Sequence, residues 1–282
     1  LLSLLFSTLL WTDLGNSYIW IAIVSLVLYG SIGFYDDWLK LQKIQNGLSA
    51  RGKLLLQFVS AFIIVWLLYV AQGSDSTALT TVSAPFFKHI NPDFGLFYFP
   101  FAMLVIVAVS NAVNLTDGLD GLAIGPVIIA FAAYMLICYV TGNVKFTSYL
   151  SIQYIQQVDE MTIFCGAVVG ASLGFLWYNC HPAALFMGNV GSTALGGLLG
   201  TVAIMSKQEF ALILIGGIFV AEAVSVILQV YWYKTTGRRL FLMAPLHHHF
   251  EKLGWPESQV IVRFWIVALA LALLSLSFLK IR

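Results

Sequence analysis

The sequence predicts an all-α integral membrane protein with a polar cleft at one membrane face. Its residues are 60% hydrophobic and only 10% charged, whereas a soluble domain carries about 25% charged residues. The mean hydropathy is +0.90. Apolar runs long enough to cross a bilayer recur down the whole chain, and the segments between them hold most of the ionisable groups. A net charge of +1 without any basic block gives nucleic-acid binding no support. Cys138, Cys165 and Cys180 lie in or beside apolar runs without metal-type spacing, and read as packing residues.

The elements follow in order. The opening LLSLLFSTLLW is too short to span and lacks the basic flank of a signal peptide. It reads as the second half of a membrane helix whose beginning is missing. Full spans are expected at about 18–35, 54–71, 96–113, 121–140, 162–178, 191–205, 210–232 and 261–279. The whole of 1–282 reads as one polytopic domain. Loops 36–53, 114–120, 179–190 and 233–260 then share a face and hold Lys40, Lys43, Arg51, Lys53, Lys234, Arg238, Arg239 and Lys252. The other face has Lys88, Lys145, Lys207, Lys280 and Arg282. The positive-inside bias assigns the first set to the cytoplasm.

The same loops gather Asp36, Asp37, Asp117, Asp120 and the triplet His247, His248, His249. Carboxylates brought together repel unless a cation separates them. Hard oxygen ligands at a membrane face suit Mg²⁺, an ion that works with phosphate substrates. In GFYDDWLK the two aspartates are adjacent, so on a helix only one is expected to face a given ligand. NAVNLTDGLDGLA sets Asn114, Asp117 and Asp120 within a few residues, with glycines that admit a ligand closely. APLHHHFE offers three imidazoles for metal, phosphate or proton transfer near neutral pH. Glu222, inside the 210–232 span, suits a functional acid or an interhelical hydrogen bond equally, and is left outside the site. LFMGNVGSTALGG, Leu185 to Gly197, reads as a flexible glycine-flanked loop built around Asn189.

Together GFYDDWLK, GLSARGK, NAVNLTDGLDGLA, FMGNVGSTALGG and MAPLHHHFE, in that order on one face, resemble the polyprenyl-phosphate N-acetylhexosamine-1-phosphate transferases, and through MAPLHHHFE their muramoyl-type branch. The resemblance runs from Leu1 to Arg282. It implies a ten-helix fold, about nine of whose transmembrane helices are visible here, with the first helix and part of the second missing. It implies a multi-pass protein of the bacterial cytoplasmic (inner) membrane with its site on the cytoplasmic face. The implied reaction transfers phospho-N-acetylmuramoyl-pentapeptide from UDP-N-acetylmuramoyl-pentapeptide to undecaprenyl phosphate, giving lipid I and UMP for peptidoglycan synthesis. Mg²⁺ and a homodimer are implied as well.

Residue by residue, the resemblance assigns catalytic roles to Asp36, Asp37, Asp117, His247 and His248, with Asp36 as the base for the lipid phosphate. It assigns substrate binding to Lys53, Asn114, Asp120, Asn179, Phe186, Gln229 and His249, with Asn179 and Phe186 at the uracil. Its metal positions are Asp117 and position 189, where the family reads MGDVGS. Here Asn189 replaces that aspartate and brings no charge. Impaired activity, or a site rebuilt around other aspartates, is therefore expected. Other readings stay open: a related N-acetylglucosamine-1-phosphate transferase; a non-catalytic membrane subunit, which Asn189 keeps alive; and a transporter, for which Gly216-Gly217 could break a helix. The one-sided polar cluster and the lack of an internal repeat weigh against transport.

Overall fold

The computed structural model describes residues 1–42, 47–72, 80–83 and 92–280. Lys43, Lys88 and Arg282, which enter the charge asymmetry above, lie outside the described residues. The chain forms α1 (Leu2–Trp11), α2 (Ser17–Leu41), α3 (Ala50–Gln72), a 3-10 turn (Gly95–Phe97) leading into α4 (Tyr98–Thr116), and α5 (Ile124–Thr141). There follow α6 (Val144–Leu150), α7 (Met161–Asn179), α8 (Gly188–Met205), α9 (Ala211–Ile215), α10 (Gly217–Thr236), α11 (Leu246–Lys252) and α12 (Glu257–Phe278). Among the described residues the only β pairing is an isolated bridge between Thr81 and Asp93. This is an all-α integral membrane protein, with α2, α3, α4 and its leading turn, α5, α7, α8 and α12 each long and apolar enough to cross a bilayer.

Seven expected spans become these seven helices, and the partial opening helix is α1. The span expected at 210–232 differs. It is two helices, α9 and α10, separated at Gly216, whose φ of −91° and ψ of 20° are not helical. Most of the large apolar side chains left exposed, such as Trp20, Trp66 and Leu136, lie on the helices. A lipid-facing surface accounts for them.

Helix α8 sits at the centre, with 78% of its span buried inside the protein. Small residues make that possible, because they let helix backbones approach closely. A Cβ on Gly196 would stand 2.7 Å from Ser110 Cα, and one on Gly200 would stand 2.8 Å from Ile106 Cα, both on α4. Gly33 on α2 likewise abuts the Asn189 carbonyl. The two faces are laced by contacts of their own. On one, loops meet through Asn189 with Asp36 and Asp37, Gly121 with Asn179, and Ala183 with Asp120. On the other, Asn16 bonds Gln157, and Lys207 bonds Thr81.

Candidate active site

Helix α2 continues to Leu41, so Asp36 and Asp37 stand on its last two turns and not in a loop. Asn189, expected in a flexible loop, lies in the first turn of α8. The helix starts early because Gly188 takes a φ of +63°, a conformation that glycine adopts without strain. These two shifts bring the three side chains together. Asn189 Nδ2 donates to Asp36 Oδ2 at 2.8 Å and to Asp37 Oδ1 at 2.7 Å. Its backbone N–H donates to Asp37 Oδ2 at 2.9 Å. Both aspartates thus meet one protein side chain, although only one was expected to face a given ligand. Neighbours on a helix diverge by about 100°, and Asn189 sits in the angle between them.

Cations and amides surround the pair. Lys40 Nζ lies 3.0 Å from Asp36 Oδ2 and 3.5 Å from Asp37 Oδ1. Lys53 Nζ lies 3.7 Å from Asp36 Oδ2 and donates to Asn114 Oδ1 at 3.3 Å. Asn114 Nδ2 donates in turn to Asn189 Oδ1 at 2.6 Å and to Ser192 Oγ at 2.7 Å. The Leu48 N–H closes the far side of Asp36 at 2.7 Å.

A second cluster begins at Asp117, just past the end of α4. Burial pushes its carboxyl up to about 6. Next to it, the face of Gly118 is covered by His247, whose Nε2 is buried without a partner among the described residues. Glu222 holds His247 in that pose. This fully buried carboxylate accepts the Leu246 N–H at 2.7 Å and the His247 N–H at 3.2 Å, and faces His247 Nδ1 at 3.2 Å. The acid left outside the site from sequence is thus the support of its histidine.

The histidine triplet splits by partner. The His247 and His248 rings touch, with centroids 4.2 Å apart, yet their nitrogens meet different groups. His248 Nδ1 meets Glu251 Oε2 at 2.6 Å, and His249 Nδ1 accepts the Leu242 N–H at 3.1 Å. Gln229 clasps the same loop, donating to the Phe241 carbonyl at 3.1 Å and accepting the Leu240 and Phe241 N–H groups at 3.0 and 2.8 Å.

Asp120 belongs to a third cluster. It accepts the Ala183 N–H at 2.9 Å and lies 3.6 Å from His181 Nδ1, which is 3.5 Å from Glu257 Oε2. Asn179, buried, ties this turn to the next loop by accepting the Gly121 N–H at 3.1 Å and donating to the Leu185 carbonyl at 2.7 Å. Phe186 beside it is 77% exposed, an open aromatic face. Sequence reading missed His181, Glu257 and Ser192, since isolated polar residues at helix ends carry no signal of their own.

A family description, glycosyl transferase family 4, matches residues 19–207. The chain belongs to this family. The match takes in Asp36, Asp37, Lys53, Asn114, Asp117, Asp120, Asn179, Phe186 and Asn189, and leaves Glu222 and the histidines beyond its end. Curated relatives reach further. The chain is 56% identical to a phospho-N-acetylmuramoyl-pentapeptide-transferase of Desulforapulum autotrophicum, over 100% of this chain and 78% of the relative. It is 58% identical to the protein of the same name from Desulfatibacillum aliphaticivorans, over 99% of this chain and 78% of that protein. With that of Desulfotalea psychrophila it shares 53%, again over 100% and 78%. Family membership therefore spans the histidine loop as well as the aspartates.

Proposed function

We propose that this chain is a membrane-embedded phosphoglycosyl transferase that moves phospho-N-acetylmuramoyl-pentapeptide from its UDP-linked precursor to undecaprenyl phosphate, giving lipid I and UMP. The observation that carries this reading is the full-length identity to relatives bearing that activity in their name. The geometry supports it, because α2, α3, α4, α8 and α11 deliver acids, amides, lysines and a histidine to one face.

The roles follow from what each group can reach. Asp37 is the more open carboxylate, with 31% of its side chain exposed against 6% for Asp36. On that ground we give it, in place of the Asp36 that the family resemblance names, the proton of the lipid phosphate, while Asp36, bound by Leu48, Lys40 and Asn189, orients it. A lipid-phosphate oxygen then attacks the sugar-bearing phosphorus, and the bond from that phosphorus to the UMP oxygen breaks. Lys40 and Lys53 supply positive charge to the phosphates, a main requirement of phosphoryl transfer. The buried Nε2 of His247 is placed to bond a phosphate oxygen near Asp117. An apolar cavity of about 530 Å³ lies behind Val190 and Gly191, next to Asn189 in the chain, and suits part of a polyprenyl tail.

The implied Mg²⁺ does not fit the donor set as it stands. At position 189, a metal position in the family, the Asn189 amide presents N–H groups to Asp36 and Asp37 and offers no anionic oxygen. The same substitution favours a second reading, a member of the family that binds substrate without turnover. UMP release by purified protein given both substrates and Mg²⁺ separates them, measured for the chain and for Asn189→Asp. Release by either form supports the transferase; substrate binding without release by both forms would reject it. The site face is assigned to the cytoplasm of the bacterial inner membrane, and cysteines placed at Gly47 and Ser148 should label from opposite sides. A homodimer, also implied by the family, is read from the mass of the purified protein in detergent.

A further inference from the structure

We propose that in this chain the side-chain amide of Asn189 takes the place of a divalent cation between Asp36 and Asp37, so that the acid pair is held by protein hydrogen bonds and retains no ion. This rests on the transferase reading only for the expectation that the ion would be Mg²⁺.

Every oxygen of the pair already meets a donor. Asp36 Oδ1 takes the Leu48 N–H, and Asp37 Oδ2 takes the Asn189 N–H. Asp36 Oδ2 and Asp37 Oδ1 share the two hydrogens of Asn189 Nδ2, with Lys40 beside both. The orientation of that amide is dictated from a distance. Lys53 can only donate, so Asn114 turns its Oδ1 to the ammonium and its Nδ2 to Asn189. Asn189 must then present Oδ1 to Asn114 and Nδ2 to the aspartates. Reversing it would set two NH₂ groups against each other at the 2.6 Å contact and two carboxylates against a carbonyl.

Two carboxylates face two ammonium groups, Lys40 and Lys53, so the cluster is already neutral. Mg²⁺ seeks anionic oxygens in near-octahedral geometry, and an amide N–H is no ligand to it. An aspartate at 189 would keep the bond from Asn114 but would have no hydrogen to give the pair. Three carboxylates would then stand against two lysines, an arrangement that recruits a cation.

Binding of Mn²⁺ to the purified full chain, followed by the electron paramagnetic resonance of the free ion, tests this without turnover. His181→Ala is used as the background, so that the Asp120–His181–Glu257 group does not contribute. Asn189→Asp should bind Mn²⁺ at least about tenfold more tightly than the Asn form, the scale of one added charge beside the ion. Mg²⁺ should raise the melting temperature of Asn189→Asp and leave that of the Asn form unchanged. Should the Asp form not fold, Asp37→Asn in the natural chain serves, and its Mn²⁺ binding should match that of the unmutated protein. Equal Mn²⁺ affinity of the Asn form and of Asn189→Asp, or a loss of affinity on Asp37→Asn, overturns the proposal. UMP release is measured separately, so the transferase reading stands or falls without this one.

Discussion

Each face of the molecule sets a lysine beside a carboxylate, and the two pairs live differently. On the site face Lys40 is 44% exposed and Asp37 31%. On the opposite face the side chains of Lys207 and Glu209 are 2% and 0% exposed. There Lys207 lies over the Tyr98 ring at 3.9 Å and donates to the Thr81 carbonyl at 3.3 Å. Tyr98 donates to Glu209 at 2.5 Å, and Tyr134 donates to the Gln208 carbonyl at 2.9 Å. Burial lowers the Lys207 ammonium to about 8 and raises the Glu209 carboxyl. A sealed pair of this kind fixes where helices end, whereas an open pair keeps charge available to a phosphate. The difference lies in solvent access and not in residue type.

The largest effect is expected from Glu209→Gln. It leaves Lys207 charged and buried without its carboxylate, and removing one partner of a buried pair costs about 3 kcal/mol or more. Thermal unfolding in detergent should show that loss, with UMP release per folded molecule unchanged. The reverse pattern is expected on the site face. Asp37→Ala or Asp117→Ala, made in the Asn189→Asp background, should lower UMP release at least about 100-fold with little change in melting temperature. A loss of less than about twofold would remove that residue from the chemistry. Glu222→Gln is intermediate, because a sealed acid there serves an open site. It should cost roughly tenfold in kcat with KM unchanged, through a misplaced His247. Last, Lys207 binds its proton more weakly in the folded chain than in the unfolded one. The unfolded state then holds the extra proton between pH about 8 and about 10.5, so by itself this group makes stability rise with pH in that window. Lys207→Met should flatten that rise in a series of unfolding curves.

Much of the fold was legible in the sequence because membrane helices announce themselves: each apolar run contains its own backbone partners. The break at Gly216 was visible only as a glycine pair, since a helix interruption is a backbone event decided by its packing. In the site, the motifs named most of the residues that the fold gathers around Asn189. Their sorting was not legible. Asp120 parts from Asp117 because the turn between them takes Asp120 to Ala183 and His181, while Asp117 stays half-buried just past the end of α4. The rings of His247 and His248 stay in contact, while each histidine of the triplet takes a different hydrogen-bond partner. Lys207, counted from sequence as a loop charge, proved to be an interior one. Glu222 stayed ambiguous, since depth in an apolar run shows that an acid is paired without showing with what.

Helix α8 lends the site a property of its own. The helix that carries Asn189 is a spindle, clasped by its neighbours and nearly out of touch with lipid. Changes in bilayer thickness or lipid order act on helices that border the hydrocarbon, which tilt or bend in response. The outer helices absorb such strain, and the spindle transmits little of it. The spacing of Asn189 from the aspartates is therefore set by glycine contacts inside the protein, and the geometry of the cleft stays calibrated when the surrounding membrane does not.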